Sequence, residues 1–199
     1  MKKLVVYVHG KDGSASESEH YKTLFPDCDV TGLDYKTFTP WETGPEIHNA
    51  ILNLRKSYDE IVLIANSIGA FFCMNAKLNG LVDKAFFISP LVDMEKMISQ
   101  MMLWANVTEE ELKEKKIIHT DFGEDLSFEY LSYVREHRIE WSVPTHILHG
   151  GKDNLISHET VVLFKEQHNA TLTEMAEGEH WFHTNEQMRF LDEWIKSFS

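Results

Sequence analysis

The chain has 199 residues, a formal net charge of −13 and two cysteines, Cys28 and Cys73. That length suits one domain able to bury roughly 70% of its unfolded surface without staples. The acidic balance excludes nucleic acid and anionic lipid as partners, since both call for Lys/Arg clusters; the cysteines offer neither a disulfide framework nor a metal-ligand spacing.

Residues 4–8, LVVYV, form a β-branched and aromatic run, the pattern of a strand covered on both faces. The run breaks at His9-Gly10, which marks a first core strand rather than a signal sequence. Residues 16–25 read as a short helix closed by Pro26, and 28–33 as a second strand. Thr43 and Glu46 make a capping box with Pro45 in the first turn, so a helix is expected to open there, with Ile47, Ala50, Ile51 and Leu54 at helical spacing. Residues 61–65 are a buried strand that turns into a helix at Ala65-Asn66-Ser67-Ile68-Gly69. Residues 84–89 are another strand, stopped by Pro90, and 145–148 lead into His149-Gly150-Gly151-Lys152-Asp153. Ser157 caps a helix reaching about His168, and 170–175 are the last strand, left through Glu177-Gly178-Glu179-His180. Thr184 and Gln187 cap a final helix with Met188, Leu191, Trp194, Ile195 and Phe198 on one face. No apolar stretch approaches the ~18 residues of a membrane span, and cytoplasmic residence is expected.

Alternating strands and helices with apolar strand runs imply an α/β fold: about six mostly parallel strands with helices on both faces and functional groups in the loops at the carboxyl ends of strands. Residues 91–142 break the alternation. Met94, Met97, Ile98, Met101 and Met102 lie at helical spacing, Thr108 and Glu111 cap a second helix, and residues 127–138 make a third with Phe128, Leu131 and Val134. No strand is expected there. A connection that long inside a compact domain implies a function, and it reads as a helical lid inserted into a single domain spanning 1–199.

Ser67 sits where a buried strand turns sharply into a helix, with small residues two positions to either side, as crowded backbones require. That is how a fold presents a nucleophile, although a serine between small residues also serves as a plain turn or N-cap. His180, in the loop after the last strand, is the candidate base, with Trp181 and Phe182 expected to pack beneath its loop; His183 is the competitor. Asp153 is the candidate orienting acid, its two preceding glycines letting the chain turn out of the strand. Asp93 is the rival, although an N-cap also explains it.

An Ala65-x-Ser67-x-Gly69 elbow, a His9-Gly10 loop after the first strand, an acid after a late strand and a histidine after the last, in the order Ser, Asp, His, together resemble the serine α/β-hydrolases over essentially the whole chain. Ala65 stands where that family places the first glycine of its elbow. The resemblance implies a Ser67-His180-Asp153 triad and an oxyanion hole from the backbone N–H groups of Ile68 and Lys11, with Asp12 the alternative to Lys11. It implies no cofactor and no metal in the reaction. The expected chemistry is cleavage of a carboxylic ester, or a thioester or amide by the same machinery, in a small substrate with an apolar part. The rival readings are a non-catalytic ligand- or protein-binding protein on this fold, or an acyltransferase.

Overall fold

A computed structural model describes residues 1–198, which form two compact units, Met1–Val92 with the chain from Glu140 onward, and Asp93–Ile139. The first unit holds a six-stranded sheet of β1 (Lys3–Val8), β2 (Asp29–Leu33), β3 (Glu60–Asn66), β4 (Lys84–Ile88), β7 (Thr145–Gly150) and β8 (Ala170–Met175). The spatial order is β2-β1-β3-β4-β7-β8, and every ladder is parallel. All carboxyl ends therefore lie along one edge, which is what brings together loops distant in sequence.

Both faces of the sheet are covered. Val5, Tyr7, Val62, Ile64, Phe86, Ile88 and Leu148 share one face through the pairings Val5 with Val62, Tyr7 with Ile64 and Ile64 with Phe86. Against them pack Tyr21, Leu24 and Phe25, and Leu191, Trp194 and Ile195 of α7 (Asn185–Phe198). The alternate residues, among them Val6, Val8, Leu63, Ala65, Phe87 and Ile147, are as deeply buried. On the latter side α2 (Ile68–Asn75) packs on β1 and β3, α1 (Pro40–Arg55) packs on α2, and α6 (His158–Gln167) packs on β8. A strand with water on neither face carries no polar alternation, which is why these runs read as continuous.

Residues 15–23 form the short helix expected there, wound as a 3-10 helix. The start of the next helix differs from expectation. Helix α1 opens one turn earlier than the Thr43–Glu46 box, at Thr39 with Pro40 in the first turn; Thr43 lies inside it and donates its hydroxyl to the Thr37 carbonyl at 2.6 Å. Pro45 is thus an interior proline, which costs the helix the one i to i−4 hydrogen bond that its missing N–H would make.

The second unit contains α3 (Met94–Ala105), α4 (Glu109–Lys115) and α5 (Phe128–Glu136), as expected. It also holds a hairpin that was not expected, β5 (Ile117–His119) against β6 (Asp125–Ser127). Strands of three residues are too short to show a period, and the turn rests on Gly123 at φ 85°. Arg135 joins α5 to the other two helices, pairing with Glu95 at 2.7 Å and Glu109 at 2.6 Å. Among the described residues no helix is long and apolar enough to cross a membrane.

Candidate active site

Ser67 closes β3 and precedes α2 at φ 49° and ψ −120°, a left-handed backbone that a side chain adopts only under constraint. The constraint comes from its neighbours. The Ser67 N–H donates to the Ile88 carbonyl at 3.0 Å, and the Ser67 carbonyl accepts from the N–H groups of Ala70 and Leu91, each at 3.1 Å. Gly69 lies against the end of β1, where a β-carbon would stand 2.3 Å from the His9 carbonyl oxygen. That carbonyl is fixed from the other side by the Tyr35 hydroxyl at 3.0 Å, while the Tyr35 ring stacks on the His9 ring at 4.3 Å.

The partners of Ser67 arrive from the far end of the chain. His180 is 7% exposed, and its Nε2 lies 2.9 Å from Ser67 Oγ. Its Nδ1 lies 2.8 Å from Asp153 Oδ2, whose side chain is wholly buried. The other oxygen, Oδ1, accepts the N–H groups of Leu155 and Ile156, both at 2.9 Å. Since a carboxylate accepts, the His180 proton sits on Nδ1, and Nε2 presents its lone pair to the hydroxyl. Burial alone pushes the Asp153 carboxyl up. The His180 hydrogen bond and charge, with the Ile156 and Leu155 N–H groups, outweigh it and hold the carboxyl below its ordinary value.

Two loops must touch for Asp153 and His180 to meet. At Gly150 a β-carbon would stand 2.5 Å from the Gly178 carbonyl oxygen and 2.6 Å from that of Glu179. The Lys152 N–H donates to the Gly178 carbonyl at 2.8 Å, and Lys152 and Glu177 form an ion pair above. Gly150 and Gly151 have ordinary φ values, so glycine serves here for close approach between loops rather than for the turn expected from sequence.

The alternatives take other places. Asp93 caps α3, its carboxylate accepting the Lys96 N–H at 2.9 Å. His183 is 61% exposed, and its Nδ1 lies 2.8 Å from the Trp181 carbonyl. Phe182 packs against the core as expected, but Trp181 is 60% exposed and does not lie beneath the loop.

Ile68 is the first residue of α2, where a backbone N–H has no helical carbonyl ahead of it. Lys11 follows Gly10, whose α-carbon abuts the elbow: a β-carbon there would stand 3.3 Å from Ser67 Cβ. Asp12 takes a left-handed turn at φ 58°. Sequence reasoning missed Tyr35, which anchors the His9 carbonyl; a lone tyrosine between two elements carries no signal of that role.

No family model matches the chain. A Mycoplasma genitalium (strain ATCC 33530) protein named "Putative esterase/lipase 3" is 31% identical over 106 residues, a match spanning 45% of this chain and 37% of that protein's own length. Among solved structures, Est1E from Butyrivibrio proteoclasticus superimposes with a TM-score of 0.78 at 17% identity, covering 99% of this chain and 86% of Est1E. Mouse alpha/beta hydrolase domain-containing protein 10 gives 0.78 at 13% identity, covering 98% and 88%. The monoacylglycerol lipase of Paleococcus ferrophilus gives 0.65 at 16% identity, covering 98% and 95%.

Proposed function

The chain has the α/β-hydrolase fold, and on that premise we propose that it is a serine hydrolase cleaving carboxylic esters through an acyl-Ser67 intermediate. The observation that carries this reading is the unbroken line from Ser67 Oγ to His180 Nε2 at 2.9 Å and from His180 Nδ1 to Asp153 Oδ2 at 2.8 Å. A serine hydroxyl is a poor nucleophile at neutral pH unless a base takes its proton during attack. In the proposed mechanism Ser67 Oγ bonds to the ester carbonyl carbon while His180 Nε2 takes the hydroxyl proton. Asp153 stays ionised and stabilises the imidazolium. The oxyanion accepts hydrogen bonds from the N–H groups of Ile68 and Lys11, the first strengthened by the positive end of α2. The bond to the alcohol oxygen then breaks, His180 returns the proton to it, and water releases the acyl group by the same route in reverse.

Ester cleavage is favoured over other acyl chemistry by the esterases and lipases among the structures and proteins the chain resembles. An apolar substrate part is supported by Trp181 and Leu155, which stand 60% and 44% exposed within two residues of His180 and Asp153. Residues 91–142, the helical insertion between two core strands, are proposed as a lid.

A fluorophosphonate probe tests the reading. It should label Ser67 in the intact protein, and Ser67→Ala should lose both the label and hydrolysis of p-nitrophenyl esters. An intact protein that takes no label, with Ser67→Ala hydrolysing as before, would overturn it.

A further inference from the structure

A second cluster of chemically able side chains lies beside the Ser67 line, His149 Nε2 standing 3.9 Å from Asp153 Oδ2. His149 is the fifth residue of β7, Glu174 is paired with it in register on β8, and His158 is the first residue of α6. One nitrogen or oxygen from each comes within 4.8 Å of the others. Glu174 Oε2 lies 3.7 Å from His149 Nδ1 and 2.5 Å from His158 Nδ1.

The decisive member is His149. Its side chain is 2% exposed, and its Nε2 lies 3.0 Å from the Ile156 carbonyl. A carbonyl only accepts, so Nε2 carries the proton and Nδ1 is left with a lone pair. That lone pair is buried and has no hydrogen-bond partner among the described residues. Glu174 cannot serve it, because a carboxylate is also an acceptor and 3.7 Å is beyond hydrogen-bond range. A buried acceptor facing a second acceptor calls for a cation or a donor between them.

The geometry points to a binding site for a divalent transition-metal ion of the zinc class, held by His149 Nδ1, His158 Nδ1 and Glu174 Oε2. Two imidazoles and one carboxylate are the donor set of borderline ions such as Zn²⁺ and Co²⁺. The Nε2–H to carbonyl bond of His149 is the arrangement that fixes a ligating imidazole in the required tautomer. A tetrahedral ion with bonds of about 2.0–2.1 Å sets its ligands roughly 3.4 Å apart. The His149–Glu174 spacing already approaches that value. The His158–Glu174 hydrogen bond opens as the ion enters, and the His158 ring changes tautomer: Nδ1 gives up its proton while Nε2 takes one from solvent, so the neutral imidazole ligates through Nδ1. His158 and Glu174 are 55% and 39% exposed, which gives the ion a path in and leaves a fourth position for water. Donors at 149, 158 and 174 form no sequence motif; only strand register and the α6 terminus unite them. The ion would also close the loop 150–157, which carries Asp153, at both its ends.

Protein freed of metal by chelation is titrated with Co²⁺ alone near pH 7.5, followed by visible d–d absorption, and with Zn²⁺ by calorimetry. One equivalent should bind with an intense band of low coordination number, and Zn²⁺ should raise the melting temperature. His158→Gln and Glu174→Gln, both at exposed positions that leave the fold intact by circular dichroism, should each weaken binding by about 100-fold and abolish the melting shift. Affinity and spectrum unchanged in both variants, loss on His180→Gln instead, or no binding by the wild type up to ~1 mM, would each overturn the assignment.

Discussion

The most informative perturbation of the Ser67 line is Asp153→Asn, because the structure dictates how the new amide must sit. Oδ1 of Asp153 accepts two backbone N–H groups at 2.9 Å, from Leu155 and Ile156. Those donors are fixed, so the asparagine must turn its carbonyl oxygen to them and its NH₂ to His180 Nδ1. Nδ1 then has to accept, which moves the imidazole proton to Nε2, the atom that must receive the Ser67 proton. The backbone barely changes while the base is held in the wrong tautomer. Such an inversion costs about 10⁴-fold in kcat, or about 5.5 kcal/mol of transition-state stabilisation.

The assay is steady-state hydrolysis of a p-nitrophenyl ester, with circular dichroism to show that the variant folds. Asp93→Asn is the matched control. Asparagine caps a helix as well as aspartate does, so α3 keeps its cap and kcat should stay near wild type. A kcat for Asp153→Asn within tenfold of wild type, or an equal loss in Asp93→Asn, would refute the reasoning. The same variant has a stability signature of known sign. The Asp153 carboxyl is held below its ordinary value in the folded protein. Its contribution is therefore fully present above the unfolded value of about 4 and is lost as pH falls through the lowered folded value. In urea unfolding the wild type should exceed the variant at pH 7, by a margin that shrinks at acid pH; a margin that grows on acidification would contradict it.

Two further substitutions probe the elbow. Gly69→Ala would set a β-carbon 2.3 Å from the His9 carbonyl oxygen and 2.9 Å from that of Val8, both backbone atoms of the β1 end. It should lower stability by about 1–3 kcal/mol and lower kcat with it; an unchanged urea midpoint would show that the β1 end gives way. Ser67→Gly removes the nucleophile but also a side chain held at φ 49°. Strain of about 1–3 kcal/mol, offset by about 0.5–1 kcal/mol for glycine entropy, leaves a net gain near 1 kcal/mol. Ser67→Gly should therefore unfold at higher urea than Ser67→Ala, and the reverse order would remove the case for strain.

How far this could be read from the sequence depends on which forces set each feature. Strands β1 and β3 were legible because burial on both faces leaves an uninterrupted apolar run, and α7 because its apolar residues repeat with the helical period. The Ser67, Asp153 and His180 positions were legible because a parallel sheet collects its carboxyl-end loops on one edge. Less legible was anything decided by contacts between distant segments. The start of α1 depends on Pro40 and on the hydroxyl of Thr43 turning back to Thr37, whereas the residues alone offered an equally good box one turn later. The β5–β6 hairpin is too short for a period to register. His149, His158 and Glu174 meet only through strand register, and the need for glycine at 150 appears only once Gly178 lies against it.

Ala65 shows how the elbow tolerates a departure from its usual pattern. The crowding that calls for small residues is not shared equally between the two sides of Ser67. Ala65 lies within β3, paired with Val8 on one side and Phe87 on the other, and its methyl is fully buried among the apolar side chains of that face. A methyl there adds contact rather than conflict. On the helix side the same methyl would meet carbonyl oxygens, and the one from His9 is already held by Tyr35. An apolar neighbour can accept a carbon atom, whereas a backbone carbonyl committed to a hydrogen bond cannot retreat from one without breaking it. Glycine is therefore compulsory at 69 and optional at 65, and the steepness of the Ser67 turn depends on how closely α2 approaches the end of β1. It follows that Ala65→Gly should leave hydrolysis nearly unchanged where Gly69→Ala impairs it, and equal losses at the two positions would show that the strand side of the elbow is as tightly constrained as the helix side.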